Sequence, residues 1–214
     1  MRLLPDPALS FIISKAFQGL HRVKPPTEAR EPVTLPMLHS MLQQVQTQFT
    51  VDYDVLLFQA MLSCAFFALC RINELTSGTT GHNLNGSDLR FLDLNTQYVV
   101  TFRTFKHSVQ KRSLTVCSQP IFCPVAVMHS YWAVRPNYAT FLFCSPDGQP
   151  VARILFVNML KRLVLASNMD PRLFTTHSLR IGGAIYAAQL GLSPLQIQRL
   201  GRWRSNAFLR YLWW

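Results

Sequence analysis

The chain has 214 residues, 49% of them hydrophobic and 14% charged, which suffices to bury the core of one ordinary domain and excludes an intrinsically disordered polymer. Its 21 Lys and Arg against 10 Asp and Glu give a formal charge of +11, and 16 of the 21 are arginine, the side chain whose planar fork matches phosphate oxygens, so an anionic polymer is the expected partner. Five cysteines with no C-x-x-C and no matching histidine spacing speak against a zinc site, and the longest apolar run, VLLFQAMLSCAFFALC at 55–70, is short of the ~20 residues of a membrane span.

In chain order, PALSFIISKAFQGLHRV carries helical apolar spacing at Leu9, Ile12, Ile13, Phe17 and Leu20, and the proline-rich KPPTEAREP stops it, which puts a boundary near residue 25. Residues 1–25 are therefore expected to be one helix, over 8–20, plus a linker, and 26–214 the main domain. The start shows no charged-then-apolar leader ending in a small-residue cleavage site, so an intracellular, reducing location with buried thiols is expected. Thr34 is a predicted N-cap for LPMLHSMLQQVQTQF, with Pro36 in the first turn. A second helix is predicted from Asp52, carrying the apolar run to Arg71.

The period then changes. YVVTFRTFKH and RSLTVC alternate and are rich in β-formers, which predicts an antiparallel hairpin with LRFLDL as a third strand and Lys106 near the tip. PVAVMHSYWAVRP, the SPDGQP turn, ARILFVNMLKRLVLAS, HSLRIGGAIYAAQLG, SPLQIQRLG and SNAFLRYLWW read as helices and their punctuation, with Gly191 as a C-cap and Ser193 and Ser205 as start signals. The expected fold class is mainly α with a small antiparallel β-sheet.

Four places carry chemistry. In THSLRIGGA, His177 and Arg180 lie three apart at a helix start, where N–H groups and the dipole attract an anion, and Gly182 and Gly183 admit a close backbone. The same spacing also fits a satisfied histidine and a surface arginine on a tightly packed helix. Arg71 ends an apolar stretch, where a charge needs a partner or a task; Glu74, three residues on, can hold it, so a plain helix pair fits as well. A hairpin lysine such as Lys106 also discourages edge pairing. After Asp170 no acid follows, whereas Arg199, Arg202 and Arg204 do, which makes these three the expected DNA-facing cations.

Together RINEL, FKHS, HSLR and LGRWRSNAFLRY stand in the order and rough spacing of the tyrosine recombinase (phage integrase) family, which the chain resembles from about residue 30 to its end. The wording HSLRIGGA with GRWRSNAFLRY looks most like the recombinases of eukaryotic mobile elements, the DIRS-like retrotransposons and Cryptons. The resemblance implies the integrase catalytic-domain fold, preceded by the last helix of an N-terminal clamp domain, and a catalytic domain taken from something longer. It implies that Arg71 and Arg180 clamp the scissile phosphate, that Glu74 supports Arg71, and that His177 is a phosphate donor and proton-transfer partner. It further implies that Lys106 protonates the leaving 5′ oxygen and that Tyr211 is the nucleophile. The place of a third histidine falls on Trp203, whose spacing to Tyr211 is one residue short of the family's, or on Arg202. Implied too are a metal-independent reaction with no cofactor, double-stranded DNA as partner, a homo-tetramer on DNA, a nuclear location and no membrane. A type IB topoisomerase-like enzyme and a domesticated DNA-binding module that no longer cuts are the competing readings.

Overall fold

The structure is a computed structural model that describes residues 30–78, 83–92, 96–103 and 111–211. The expected helix over 8–20, its linker and Lys106 lie outside the described residues. Helix α1 (Leu35–Gln48) starts as expected: the Thr34 hydroxyl accepts the Met37 N–H at 3.4 Å, and Pro36 sits in the first turn, where no N–H is needed. Its buried stripe is Leu38, Met41, Leu42 and Val45. Helix α2 (Asp52–Phe67) has no such stripe, because every residue from Leu57 to Phe66 is buried. A helix apolar all round belongs in the middle of a domain. It lies there, packed by α1, by α4 (Pro124–Val134) and by α6 (Thr176–Gln189).

The expectation that this helix runs to Arg71 is corrected. Helix α2 ends at Phe67; the Cys70 N–H reaches back to the Ala65 carbonyl at 3.1 Å and the Leu69 N–H to that of Phe66 at 3.4 Å. That is the Schellman arrangement, with Leu69 at φ 48 in the left-handed position that glycine usually takes. Arg71 then caps a separate short helix, α3 (Ile72–Leu75).

Strands β1 (Leu89–Leu92), β2 (Gln97–Phe102) and β3 (Arg112–Cys117) form an antiparallel sheet in the order β1-β2-β3, with Leu89 opposite Val100 and Val100 opposite Leu114. In β3 only Leu114 and Val116 are buried, so one face of the sheet meets α4 and the other meets solvent. Helix α5 (Arg153–Ala166) follows a turn at Gly148, α7 (Pro194–Leu200) follows Gly191 at φ 83 and is capped by Ser193, and a 3₁₀ segment, Asn206–Tyr211, stands where a helix is predicted. Among the described residues Cys64, Cys70 and Cys144 are buried free thiols, while Cys117 is exposed. No described helix is long and apolar enough to cross a membrane.

Gly182 and Gly183 locate α6. A Cβ on Gly182 would lie 1.8 Å from the Val33 carbonyl oxygen, and one on Gly183 would lie 2.1 Å from that of Phe66. Both obstacles are backbone, so neither yields to a rotamer change. Gly183→Ala is expected to destabilise the fold by about 1–3 kcal/mol through overpacking, read as a shifted urea midpoint. Gly78→Ala, whose new methyl has nothing nearer than 3.5 Å, should stay within about 0.5 kcal/mol.

Candidate functional site

The turn after α2 and the loop after α7 meet around one carboxylate, and Arg180 of α6 bonds the backbone of both. Glu74 Oε1 accepts from Arg71 Nη1 at 3.1 Å, and Glu74 Oε2 accepts from the Arg71 backbone N–H at 2.6 Å and from Arg202 Nη2 at 2.7 Å. The Glu74 and Arg202 side chains are each 2% exposed, whereas that of Arg71 is 27% exposed. Arg71 also donates to the Arg202 carbonyl at 3.1 Å. The pair foreseen within one helix is thus a cap that also ties in the loop after α7.

Arg180 is no surface arginine. At 2% exposure it donates to the Leu69 carbonyl at 2.6 Å and to the Gly201 carbonyl, and the Trp203 ring covers its guanidinium at 4.4 Å. Those two bonds use two of its five N–H groups. Burial, then the charges of Arg71 and Arg202, lower its pKa to about 9, so it is cationic at neutral pH. Removing Arg180 would therefore disturb both carbonyls as well as any ligand.

Arg202 departs from its expected place on a DNA-facing surface. Its backbone is left-handed at φ 54, and this turns the side chain inward to Glu74, to the Leu69 carbonyl at 3.0 Å and over the Phe102 ring of β2 at 3.5 Å. A guanidinium held this way has no phosphate to reach. Arg199 and Arg204 are exposed. Of the two residues offered for the third-histidine place, Trp203 stacks on the Arg180 guanidinium, and Arg202 shares the Leu69 carbonyl with it while pairing with Glu74.

His177 follows the cap of α6, where the Thr175 hydroxyl accepts its N–H at 3.3 Å. Burial lowers its pKa first, and the charges of Arg180, Arg30 and Arg71 lower it further, to about 4. The imidazole is thus neutral at pH 7 and able to take up a proton. An anion bound among these cations would oppose the charge part of that shift.

Arg71, His177 and Arg180 line one pocket of about 440 Å³, together with Arg30, Arg153 and Lys161. No described acid lines it. Sequence reasoning passed over the last three. One signal was present: Arg153 opens α5, where the helix dipole disfavours a cation, and Lys161 lies two turns on along the same face. Among the described residues no group of His, Cys, Asp and Glu is arranged to hold a metal.

Lys106 lies outside the described residues, and of Tyr211 only the backbone is described. Its 3₁₀ segment is anchored by Phe208, which is 2% exposed, stacks on Trp203 at 5.4 Å and shares a small core with Leu69, Ala184, Ala187 and Ile197.

No protein-family model matches the chain, and no curated protein matches it. Solved structures do. The chain is similar to the XerH site-specific recombinase bound to a palindromic difH substrate in a post-cleavage complex, with TM-score 0.69 and 14% identity over 89% of this chain and 51% of that one. It is similar to the XerA recombinase, with TM-score 0.64 and 18% identity over 89% and 61%. A lambda integrase dimer bound to a COC′ core site gives TM-score 0.60 and 15% identity over 86% and 48%. The likeness is one of fold: mainly helical with a small three-stranded antiparallel sheet, the fold of tyrosine recombinase catalytic domains. The chain spans about half to three-fifths of the length of these neighbours.

The lowered His177 pKa has a consequence for stability. Between about 4 and the ordinary histidine value of 6.5 the unfolded chain binds a proton that the folded one refuses, so stability present above pH 6.5 falls as pH drops towards 4. Urea titrations across that range should show the loss, and His177→Gln should show a smaller one, leaving the share due to carboxylates. Equal slopes for both proteins would mean that His177 is protonated in the folded state.

Proposed function

We propose that this chain is a catalytic domain that cleaves and rejoins double-stranded DNA through a 3′-phosphotyrosine at Tyr211. In the finer form of the reading it is the recombinase of a mobile element of the DIRS-like or Crypton kind, works in the nucleus and assembles as a homo-tetramer on DNA. The observation that carries the reading is the meeting of Arg71 with His177 and Arg180, which lie more than a hundred positions further on, in one pocket that no described acid lines, in a fold shared with site-specific recombinases.

The chemistry suits those residue types. When the Tyr211 oxygen attacks phosphorus, negative charge grows on the non-bridging oxygens, and guanidinium groups fixed beforehand stabilise it without reorganisation. A tyrosine hydroxyl has an ordinary pKa near ~10 and must lose its proton as the P–O bond forms. Neutral His177 can accept it. The bond to the 5′ oxygen breaks, and Lys106 supplies the proton that this oxygen needs. The phosphotyrosine conserves the bond energy, so the 5′ hydroxyl of a second strand can reverse the step. Glu74 holds Arg71 and Arg202 in place, and Trp203, stacked on Arg180, fills the third-histidine position.

A nicked duplex that traps the covalent intermediate tests this. The native chain should form an adduct, and Tyr211→Phe should bind the duplex with similar affinity and form none; an adduct that persists in the Phe variant would overturn the nucleophile. Arg71→Ala, which leaves Glu74 paired with Arg202, should slow adduct formation by roughly 10²–10³-fold. Lys106→Ala should regain cleavage on a 5′-phosphorothiolate substrate, whose sulfur leaves without a proton. A native chain that binds DNA and never forms an adduct would favour the binding-module reading instead.

A further inference from the structure

The pocket holds more cationic groups than one phosphodiester engages. Arg71, His177 and Arg180 form its inner wall, with Glu74 behind them. Arg153 and Lys161 belong to α5, and Arg30 to the segment that precedes α1. All three are exposed, and among the described residues none of them forms an ion pair. They add to the positive charge of the pocket without an acid among the described lining residues to balance it. Arg153 is the first residue of α5, at the positive end of the helix dipole, and Arg30 lies near enough to His177 to help lower its pKa.

The geometry points to a second phosphate station, in which Arg153 and Lys161, with Arg30, hold the phosphates flanking the reacting one on the strand being cut. Arg153, Val157 and Lys161 recur every four residues and all line the pocket, so α5 presents one face to it. From Arg153 to Lys161 the helix rises about 12 Å, the axial length over which one DNA strand carries about three charges. A strand seated in the inner wall and continuing past α5 would thus bring neighbouring phosphates to these side chains. The station fixes the direction of the strand relative to Arg71 and Arg180, which a single phosphate contact leaves free.

This inference rests on the DNA-cleavage reading for the identity of the ligand, and its test is chosen to stand apart from that reading. Duplexes each carrying one neutral methylphosphonate, stepped one phosphate at a time along the whole strand, are titrated by fluorescence anisotropy against the native chain and against the Arg153→Ala/Lys161→Ala double variant. With the native chain, neutralising one or two flanking phosphates should weaken binding roughly tenfold. The double variant should lose about as much on unmodified DNA, show no further loss at those same positions, and have a log–log salt slope smaller by about 2. Both substituted side chains are exposed, so the melting temperature should not move. Arg30→Ala should silence sensitivity at a position of its own or share one of these. Equal, additive losses at every position in both proteins would overturn the station and reduce these cations to general surface charge. Because the readout is equilibrium binding, a native chain that never forms an adduct would refute the cleavage reading without touching this result.

Discussion

One carboxylate decides how this domain keeps three arginines close together in the region after α2. Arg71, Arg180 and Arg202 crowd the region after α2, and Glu74 is the acid among them. Burying like charges together is strongly unfavourable, and a buried pair that loses one partner typically gives up about 3–5 kcal/mol. The arrangement divides the load. Glu74 pairs with both Arg71 and Arg202 and cancels one of their two charges, and Arg180 is solvated by the Leu69 and Gly201 carbonyls. What remains is a surplus of positive charge at the pocket wall, preorganised for an anion.

The backbone is bent to serve that arrangement. Leu69 and Arg202, neither of them glycine, both take left-handed φ values, a conformation that costs an ordinary residue of order 1–3 kcal/mol. The turn at Leu69 directs its carbonyl to Arg180 Nη1 and Arg202 Nη2. A helix continued through residue 73 would have bonded that carbonyl to the Asn73 N–H. The strain at Leu69 and the solvation of two guanidinium groups are thus one structural event, and it explains why α2 ends at Phe67.

That event also marks the limit of what could be read in the sequence. Local signals were sufficient for the Thr34 cap, the three strands, the glycine pair of α6 and the end at Gly191, because each follows from propensity, period or a turn residue within a few positions. The meeting of Arg71, His177 and Arg180 was legible through family resemblance, since nothing local joins residues more than a hundred positions apart. The helix end at Phe67 was not legible: AFFALCRINEL favours helix throughout, and what stops it is supplied by Arg180 and Arg202 from far along the chain. Arg202 was misplaced for the same reason, as an acid-free run looks like solvent-facing charge unless Glu74 is known to lie beneath it. Arg30, Arg153 and Lys161 escaped because exposed basic residues are ordinary singly and become informative when they ring one pocket.

The segment that carries Tyr211 depends on the same turn. Six residues of 3₁₀ helix cannot persist alone, since short helices are marginal without tertiary contacts. Phe208 supplies the contact: it enters the small core around Leu69, Ala184, Ala187 and Ile197 and stacks on Trp203, which itself covers Arg180. Leu69 therefore works on two sides, its side chain in the core that seats the terminal segment and its carbonyl on the guanidinium groups of the pocket wall. A shift of the terminal segment would move Trp203 off Arg180, and a loss of Arg180 would loosen Gly201 and the loop that leads to Trp203. The backbone at Tyr211 and the phosphate-binding wall are coupled through contacts within this one chain, which gives the proposed nucleophile and the proposed clamp a shared mechanical reference.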